Sequence, residues 1–416
     1  MFRSMPLTAL VVASGASSLG ATMTLIAVPW FVLVRTGSGT QTGLVAAAET
    51  LGLVLSLLCA GPLVDRYGAR RGSVLADLCT CLAVLAIPLA DALGVLSLPV
   101  LVGLVFMVGA SRAPARSAKQ VLLPAVIGAT GIRVERATSA EETALRTGDL
   151  LGAPLGGVLI ALVGPTSVLI ADGTALIVSA LLVGLLVTGA PVGEGAAAAG
   201  ARGYLRELAK TAVQFRRDRL LLALGAACAA VNALTSGLLS VLLPAYGVSV
   251  WHNSTLVGVL IGAASGGSIL GTVLYGWLSR GGQRWRTFSV CFLVSGAPVY
   301  GVVALNPHPL LLVPLVSLFM IANGPVNPVI AAVKYARVPL ALRGRVFAAF
   351  SASANAAMPL GLLLAGALLD GMGPAAAAYV LGGVCLAISV CPFLFRIWRD
   401  MDAPDPEHGT PTPDTP

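Results

Sequence analysis

The chain has 416 residues, 57% of them hydrophobic and only 11% charged, with a net charge of +8 and a mean hydropathy of +0.90. A soluble globule carries about 25% charged residues, so this composition excludes one and points to a polytopic membrane protein. The basic balance does not imply nucleic acid, because Lys and Arg are scattered through short loops without a basic stripe interleaved with aromatics.

A membrane-spanning helix takes about 20 mostly apolar residues. By that measure twelve are predicted: 7–34, 42–63, 73–93, 98–121, 137–163, 167–189, 220–247, 254–279, 287–305, 310–336, 345–370 and 375–398. The first run is far longer than the roughly 7–15-residue apolar core of a signal peptide and is read as a retained helix. With a cytoplasmic N-terminus, nearly all the Lys and Arg lie in the loops near 64–72, 122–136, 190–219, 280–286 and 337–344, on helix ends beside them or in the tails, and only Arg35 falls in an outer loop. That bias predicts both termini in the cytoplasm. Trp277, Trp285 and Trp398 at inner boundaries, with Trp30 and Trp251 towards the outer face, suit interfacial belts.

Four units follow: a six-helix bundle over 1–189, a cytoplasmic linker over 190–219, a second six-helix bundle over 220–398, and a disordered cytoplasmic tail over 399–416 rich in Pro, Asp and Thr. Within the linker, Tyr204 to Arg217 reads as a basic amphipathic helix lying on the membrane surface. Weak echoes join the halves. Arg133-Val134 matches Arg345-Val346, Gly164-Pro165 matches Gly373-Pro374, and Gly61-Pro-Leu-Val-Asp-Arg has a degenerate counterpart in Gly276-Trp-Leu-Ser-Arg. Together they suggest a duplicated bundle.

Ionised groups at membrane depth cost about 2.5–3.5 kcal/mol on insertion scales and therefore face a cavity or a partner. Glu49, about a third of the way down helix two from outside, has no basic residue near it in sequence. It is either a site for a proton or a cationic substrate, or a neutral, hydrogen-bonded structural glutamate. Further on, Arg112 in helix four and Asp149 in helix five lie on consecutive antiparallel helices and can pair. A proton or an anionic substrate would break that pair, unless it is static and structural. Glu141, Glu142 and Arg146, near the inner interface, suit gate contacts, and Asp77 and Asp172, nearer helix ends, suit structural roles. Helices four and ten look broken alike, by Pro114 in one and by Asn323-Gly324-Pro325 with Asn327-Pro328 in the other. Carbonyls freed at such breaks must face protein or a cavity.

Helix five also carries Gly148, Gly152, Pro154, Gly156 and Gly157, a small-residue face that lets another backbone approach closely. The seven cysteines (59, 79, 81, 228, 291, 385, 391) lie in apolar runs without metal or redox spacing, and the three histidines fall in loops or the tail. No phosphate-binding loop and no nucleophile motif appear. No metal, no cofactor and no enzymatic activity are expected.

The basic turn after helix two, Gly61-Pro-Leu-Val-Asp65-Arg66-Tyr-Gly68-Ala-Arg70-Arg71, resembles the signature loop between helices two and three of the major facilitator superfamily. Helix five is similar to the glycine-proline motif of that superfamily's antiporters, with the proline one residue later. Asp77, Pro114-Ala115-Arg116 and Leu342-Arg-Gly-Arg-Val-Phe347 look like an exporter branch that includes macrolide-efflux and siderophore-exporter proteins; Arg112 is outside that pattern. The resemblance implies an all-α fold of twelve helices in two pseudo-repeated bundles around a midplane cavity. Gly61, Asp65, Arg66, Gly68, Arg70 and Arg71 would form the inner gate, and Asn232, Asn323 and Asn327 would lie near substrate or, in the plainer reading, cap kinks. It further implies efflux of a small amphiphilic drug or metabolite against inward protons, in the bacterial cell membrane, by a monomer powered by the proton motive force. The alternatives are a uniporter or an uptake symporter of a polar metabolite, and a sensor or scaffold that does not transport.

Overall fold

A computed structural model describes residues 5–187, 218–279, 283–306, 308–338 and 343–402, and of residues 58–67, 344, 345 and 348 the backbone alone. All regular structure among the described residues is helical. The first bundle comprises α1 Met5–Thr36, α2 Gly39–Tyr67, α3 Ala69–Ala92, α4 Leu98–Thr130, α5 Val134–Val163 and α6 Pro165–Leu186. The second comprises α7 Arg219–Trp251, α8 Ser254–Leu278, α9 Arg284–Leu305 and α10 Pro309–Arg337. It closes with α11 over 343–372 and α12 over 374–394, separated by Gly373. Each predicted span has its helix. A 3-10 turn, Arg396–Asp402, follows α12, so residues 399–402, expected as the start of a disordered tail, are ordered, with Met401 buried and Asp402 accepting from Trp285 N at 3.1 Å. The amphipathic helix expected at 204–217 and the tail beyond 402 lie outside the described residues.

The outside of this assembly is apolar: Leu162, Leu185, Leu310 and Leu360 are each at least 68% exposed. A surface of that kind has no place in water and suits lipid. The chain is a multi-pass membrane protein.

Two expectations need correction. The residues at 64–72 are not a loop, because α2 continues to Tyr67 and α3 starts at Ala69. The turn is Gly68 alone, at φ 77°, a conformation that glycine adopts without the penalty a Cβ imposes. Nor is helix four broken at Pro114. It runs unbroken past both Pro114 and Pro124, whereas α10 is interrupted at 322–325. A single proline removes one donor. The Asn-Gly-Pro run adds glycine's conformational freedom to that loss and stops the helix. Gly324 O, freed there, accepts from the Thr272 hydroxyl of α8 at 3.1 Å.

The suspected duplication has a backbone basis. Gly164 (φ 96°, ψ 168°) and Gly373 (φ 79°, ψ 170°) adopt nearly the same left-sided conformation, and each hands over to a helix that begins with proline.

Chain alternation gathers Met5, Gly68, Arg219, Val338 and Asp402 at one end, the basic end. There the apolar packing forms two separate clusters. One is built on Leu10, Leu122 and Val183 of the first bundle, the other on Leu224, Phe288 and Val329 of the second. In the far half a single cluster spans both bundles, from Ile26 and Val105 to Val241 and Leu381. The bundles are therefore welded at the far end and part towards the basic end. Trp398, expected in an interfacial belt, is instead buried in the basic-end core of the second bundle, stacked on Phe288 at 5.6 Å.

Glycines make the weld. A Cβ on Gly157 would lie 2.5 Å from Ser254 O, one on Gly258 2.3 Å from Ala153 O, and one on Gly262 2.6 Å from Pro154 Cγ, so α5 and α8 meet backbone to backbone. On its other face α5 packs on α1, where Gly148 and Gly152 abut Gly15 O and Leu19 O. The glycine-proline run thus serves two interfaces. Pro154 presses on the second bundle, while Gly148, Gly152 and Gly156 hold α5 to α1 inside the first.

Candidate functional site

The residues singled out above fall into two places. The first is inside the first bundle. Gly52 and Gly109 bring α2 and α4 into contact, and a Cβ on Gly109 would lie 1.9 Å from Glu49 O. One turn along α4, the Arg112 guanidinium sits 2.6 Å from Asp172 Oδ2 of α6, with 12% and 0% of the two side chains exposed. The same oxygen accepts from the Thr24 hydroxyl of α1 at 2.6 Å. Gly20 leaves the room, since a Cβ there would be 2.2 Å from Asp172 Oδ1. Half-buried Glu49 belongs to the turn of α2 that Gly109 touches, one turn along α4 from Arg112. Side chains of α1, α4 and α6 thus form one buried polar cluster, with Glu49 of α2 beside it.

The expected pair of Arg112 with Asp149 does not form. Although α4 and α5 are consecutive, α4 packs on α2 and α3 while α5 packs on α1 and α6 of its own bundle. Arg112 therefore finds its acid on α6. Asp149 turns instead to α1, where Ser18 donates to Oδ1 at 2.6 Å and Thr22 at 3.4 Å. Nearer the basic end a second buried pair links α3, α4 and α6: Lys119 Nζ is 2.9 Å from Asp77 Oδ2, which also accepts from Ser179 at 2.7 Å. Of the residues given gate roles, Glu142 and Arg146 pair on an exposed helix face at 2.8 Å, and buried Glu141 accepts from Ser14 at 3.5 Å.

The second place is a cavity of about 610 Å³ between the bundles. Asp149, Asn232, Asn323 and Asn327 all line it, and among the described residues Arg146 and Asp149 are the first bundle's whole share of its wall. Glu49 and Arg112 do not line it. Asn232 donates to Ala354 O at 3.0 Å, next to the break that opens α11 at Ala357. Asn323, in the break of α10, accepts from Ser268 at 3.5 Å. The Asn327 side chain makes no hydrogen bond among the described residues and is open to the cavity. For Asn232, which bonds beside a break and also lines the cavity, the kink-cap and cavity-wall readings are compatible. The rest of the wall is mostly apolar: Leu238, Leu243, Leu260, Val303 and Val316 in the middle, with Phe350 nearer the basic end. On α7, Leu238 and Leu239 sit in a π-helical turn, Leu238–Leu242, and a second such turn covers Gly247–Trp251. Turns of this kind recur at functional sites.

Sequence reasoning missed Lys334, which also lines the cavity. Its position three residues before Arg337 makes it look like one more basic residue at a helix end. Of the residues expected at an inner gate, Arg70 donates to Gly184 O of α6, which ties α3 to the last turn of a neighbouring helix of the same bundle. Arg71 is exposed and Gly68 makes the turn. The side chains of Asp65 and Arg66, and the surroundings of Gly61, lie outside the described residues.

Among known proteins, the family profile described as Major Facilitator Superfamily matches residues 10–280 and 225–416. A protein named multidrug efflux pump Tap from Mycolicibacterium fortuitum is 31% identical over 95% of this chain and 97% of its own length. The protein of that name from Mycobacterium tuberculosis is 32% identical over 86% of this chain and 85% of its own. Solved structures share the fold at low identity. A nucleoside transporter, NupG, matches with a TM-score of 0.75 and 14% identity over 95% of this chain and 99% of its own. A D-xylose-proton symporter matches with a TM-score of 0.68 and 16% identity over 94% and 97%.

Proposed function

The chain belongs to the major facilitator superfamily, which makes it a transporter rather than an enzyme, and from that premise we propose that it exports small amphiphilic drugs or metabolites in exchange for protons. The observation that carries the proposal is the cavity itself. Its mostly apolar wall, with a few amides and hydroxyls and the charged side chains of Arg146, Asp149 and Lys334, suits an apolar body with a few polar groups better than a sugar or a nucleoside. The relatives named as multidrug efflux pumps support the same reading.

The basic loops support an orientation with the basic end and both termini in the cytoplasm. The conformation described, welded at the far end and parted at the basic end, is then the one that loads substrate from the cytoplasm. Rocking of the two bundles about the cavity would release it outside, by a monomer in the bacterial cell membrane. Asp149 is the group for coupling. It lines the cavity, it is held in place by two α1 hydroxyls, and substrate and proton can compete for it. One charge moving down 100 mV provides about 2.3 kcal/mol. At about 1.4 kcal/mol per tenfold, that sustains roughly a fifty-fold gradient of a neutral compound.

The test uses purified protein in liposomes with an internal pH dye, an imposed proton gradient and a panel of amphiphiles. We expect a compound-dependent proton leak that falls at least tenfold in Asp149→Asn. The leak should persist in Glu49→Gln, whose side chain does not line the cavity. Compound flux without a proton signal would refute antiport, and a loss confined to Glu49→Gln would move coupling to the buried cluster of the first bundle.

A further inference from the structure

Lys334 lies in the last turn of α10, on the cavity wall. A basic residue at such a place ordinarily reaches past the apolar zone to the interface. Arg337, one turn on, finds partners at the helix end: its Nε is 2.8 Å from Asp218 Oδ2, and it also donates to Asp400 O. Lys334 does neither. It is half-buried, with Nζ 4.8 Å from the centre of the Phe347 ring and 4.7 Å from that of Phe350. No carboxylate among the described residues pairs with it.

Two aromatic faces hold an ammonium through their quadrupoles, yet they carry no net charge and leave the cation unneutralised. The other cation of the wall, Arg146, is paired with Glu142, so in a wall that is otherwise largely apolar the Lys334 charge is a strong attractor for an anionic oxygen. The acid of the same cavity, Asp149, stands on the other bundle and is already engaged by Ser18 and Thr22. The cavity therefore offers separate places for a basic and an acidic group.

We propose that Lys334 is a specificity-determining residue that selects amphiphiles bearing an anionic oxygen group, such as a carboxylate, a sulfonate or an ionised phenol. That group docks against the ammonium, while the apolar body lies along the leucines and valines of α7 and α9. The assignment rests on the cavity being the substrate site of the proposed exporter.

Fluorescence titration in nanodiscs tests it, with protein-free discs as the blank. The probes share one apolar body: dansylglycine carries a carboxylate, its amide is neutral, and dansylcadaverine carries an amine. Lys334→Gln should weaken dansylglycine binding at least tenfold, equivalent to about 1.4 kcal/mol, and leave the other two within about threefold. Lys334→Arg should retain dansylglycine. Unchanged binding of the amide shows that the Gln variant is folded. A parallel loss of all three probes, no change for any, or no binding of dansylglycine to the unsubstituted protein would each overturn the assignment. Binding that depends on Lys334 without flux in liposomes would sink export and leave the assignment standing.

Discussion

The two six-helix bundles repeat one connection pattern, yet their interiors differ. Among the described residues the first bundle holds two buried ion pairs, Arg112 with Asp172 and Lys119 with Asp77, each backed by a hydroxyl. Its helices run without interruption. The second bundle has π-helical turns in α7, a bend at Gly296 in α9, a break at 322–325 in α10 and another at Ala357 before the rest of α11. It also supplies nearly all of the cavity wall. Duplicated architecture has thus been put to two uses. One half is a frame held by charge, and the other is bent and interrupted and lines the cavity. Breaks free backbone groups and loosen local packing, which a site needs. Buried pairs oppose loosening, because losing one partner strands the other.

The largest expected effect lies in the frame. Arg112→Met would leave the Asp172 carboxylate buried without a cation and should cost about 3–5 kcal/mol of stability, read as a drop in melting temperature and yield. Pairing it with Asp172→Leu should restore most of the loss, because a matched apolar pair is often as stable as a buried ion pair. A restored double variant that transports normally confirms the cluster as frame. One that melts normally and moves no substrate would make the cluster part of the working site and blur the division between the halves.

How much of this was legible in the sequence depends on the range of the interaction. The twelve spans, the Gly-Pro hand-overs and the break at Asn323-Gly324-Pro325 are local, set by runs of apolar residues and by backbone preferences. Asp149, Asn232, Asn323 and Asn327 were legible because a polar group at membrane depth needs somewhere to face. The partner of Arg112 was not, because consecutive helices in a bundle need not be neighbours, and the acid came from two helices further along the chain. Lys334 was hidden for the opposite reason. Its sequence context explains it too well as a cytoplasmic anchor, and only the two phenyl rings folded over it show otherwise. The turn at Gly68 read as a loop because charge marks a helix end in sequence even where the helix continues.

Glycines sharpen the contrast between what holds a bundle together and what holds the bundles to each other. A Cβ added to Gly109 would meet Glu49 O inside the frame, and one added to Gly258 would meet Ala153 O across the weld. Overpacking costs about 1–3 kcal/mol, but the two sites should express it differently. Gly109→Ala has no alternative arrangement to relax into and should lower the melting temperature. Gly258→Ala can relax by parting the bundles at the far end. It should melt near the unsubstituted protein and raise maleimide labelling, from the far face, of a Val303→Cys probe in a background without the native cysteines. Equal melting losses would mean that the weld is as rigid as the frame and that the protein does not rock about it.

A smaller effect is expected where charge rather than packing crosses the weld. Asp370, exposed on α11, accepts from Gly39 N at 2.5 Å, Thr40 N at 2.8 Å and the Ser38 hydroxyl at 2.9 Å. A carboxylate of the second bundle thereby caps the N-terminus of α2 in the first. The free N–H groups and partial positive charge of a helix start favour an acid there by about 0.3–1 kcal/mol when exposed, and salt screens the attraction. Asp370→Asn keeps an acceptor and removes the charge, so the state closed at this end should lose at most about fivefold in population, the equivalent of about 1 kcal/mol. The Val303→Cys probe, labelled from the face that carries Asp370, should report that shift at low ionic strength and lose it in high salt. Labelling unchanged at either salt concentration would leave closure to the glycine packing alone, and the charged contact would then be a consequence of the weld rather than one of its causes.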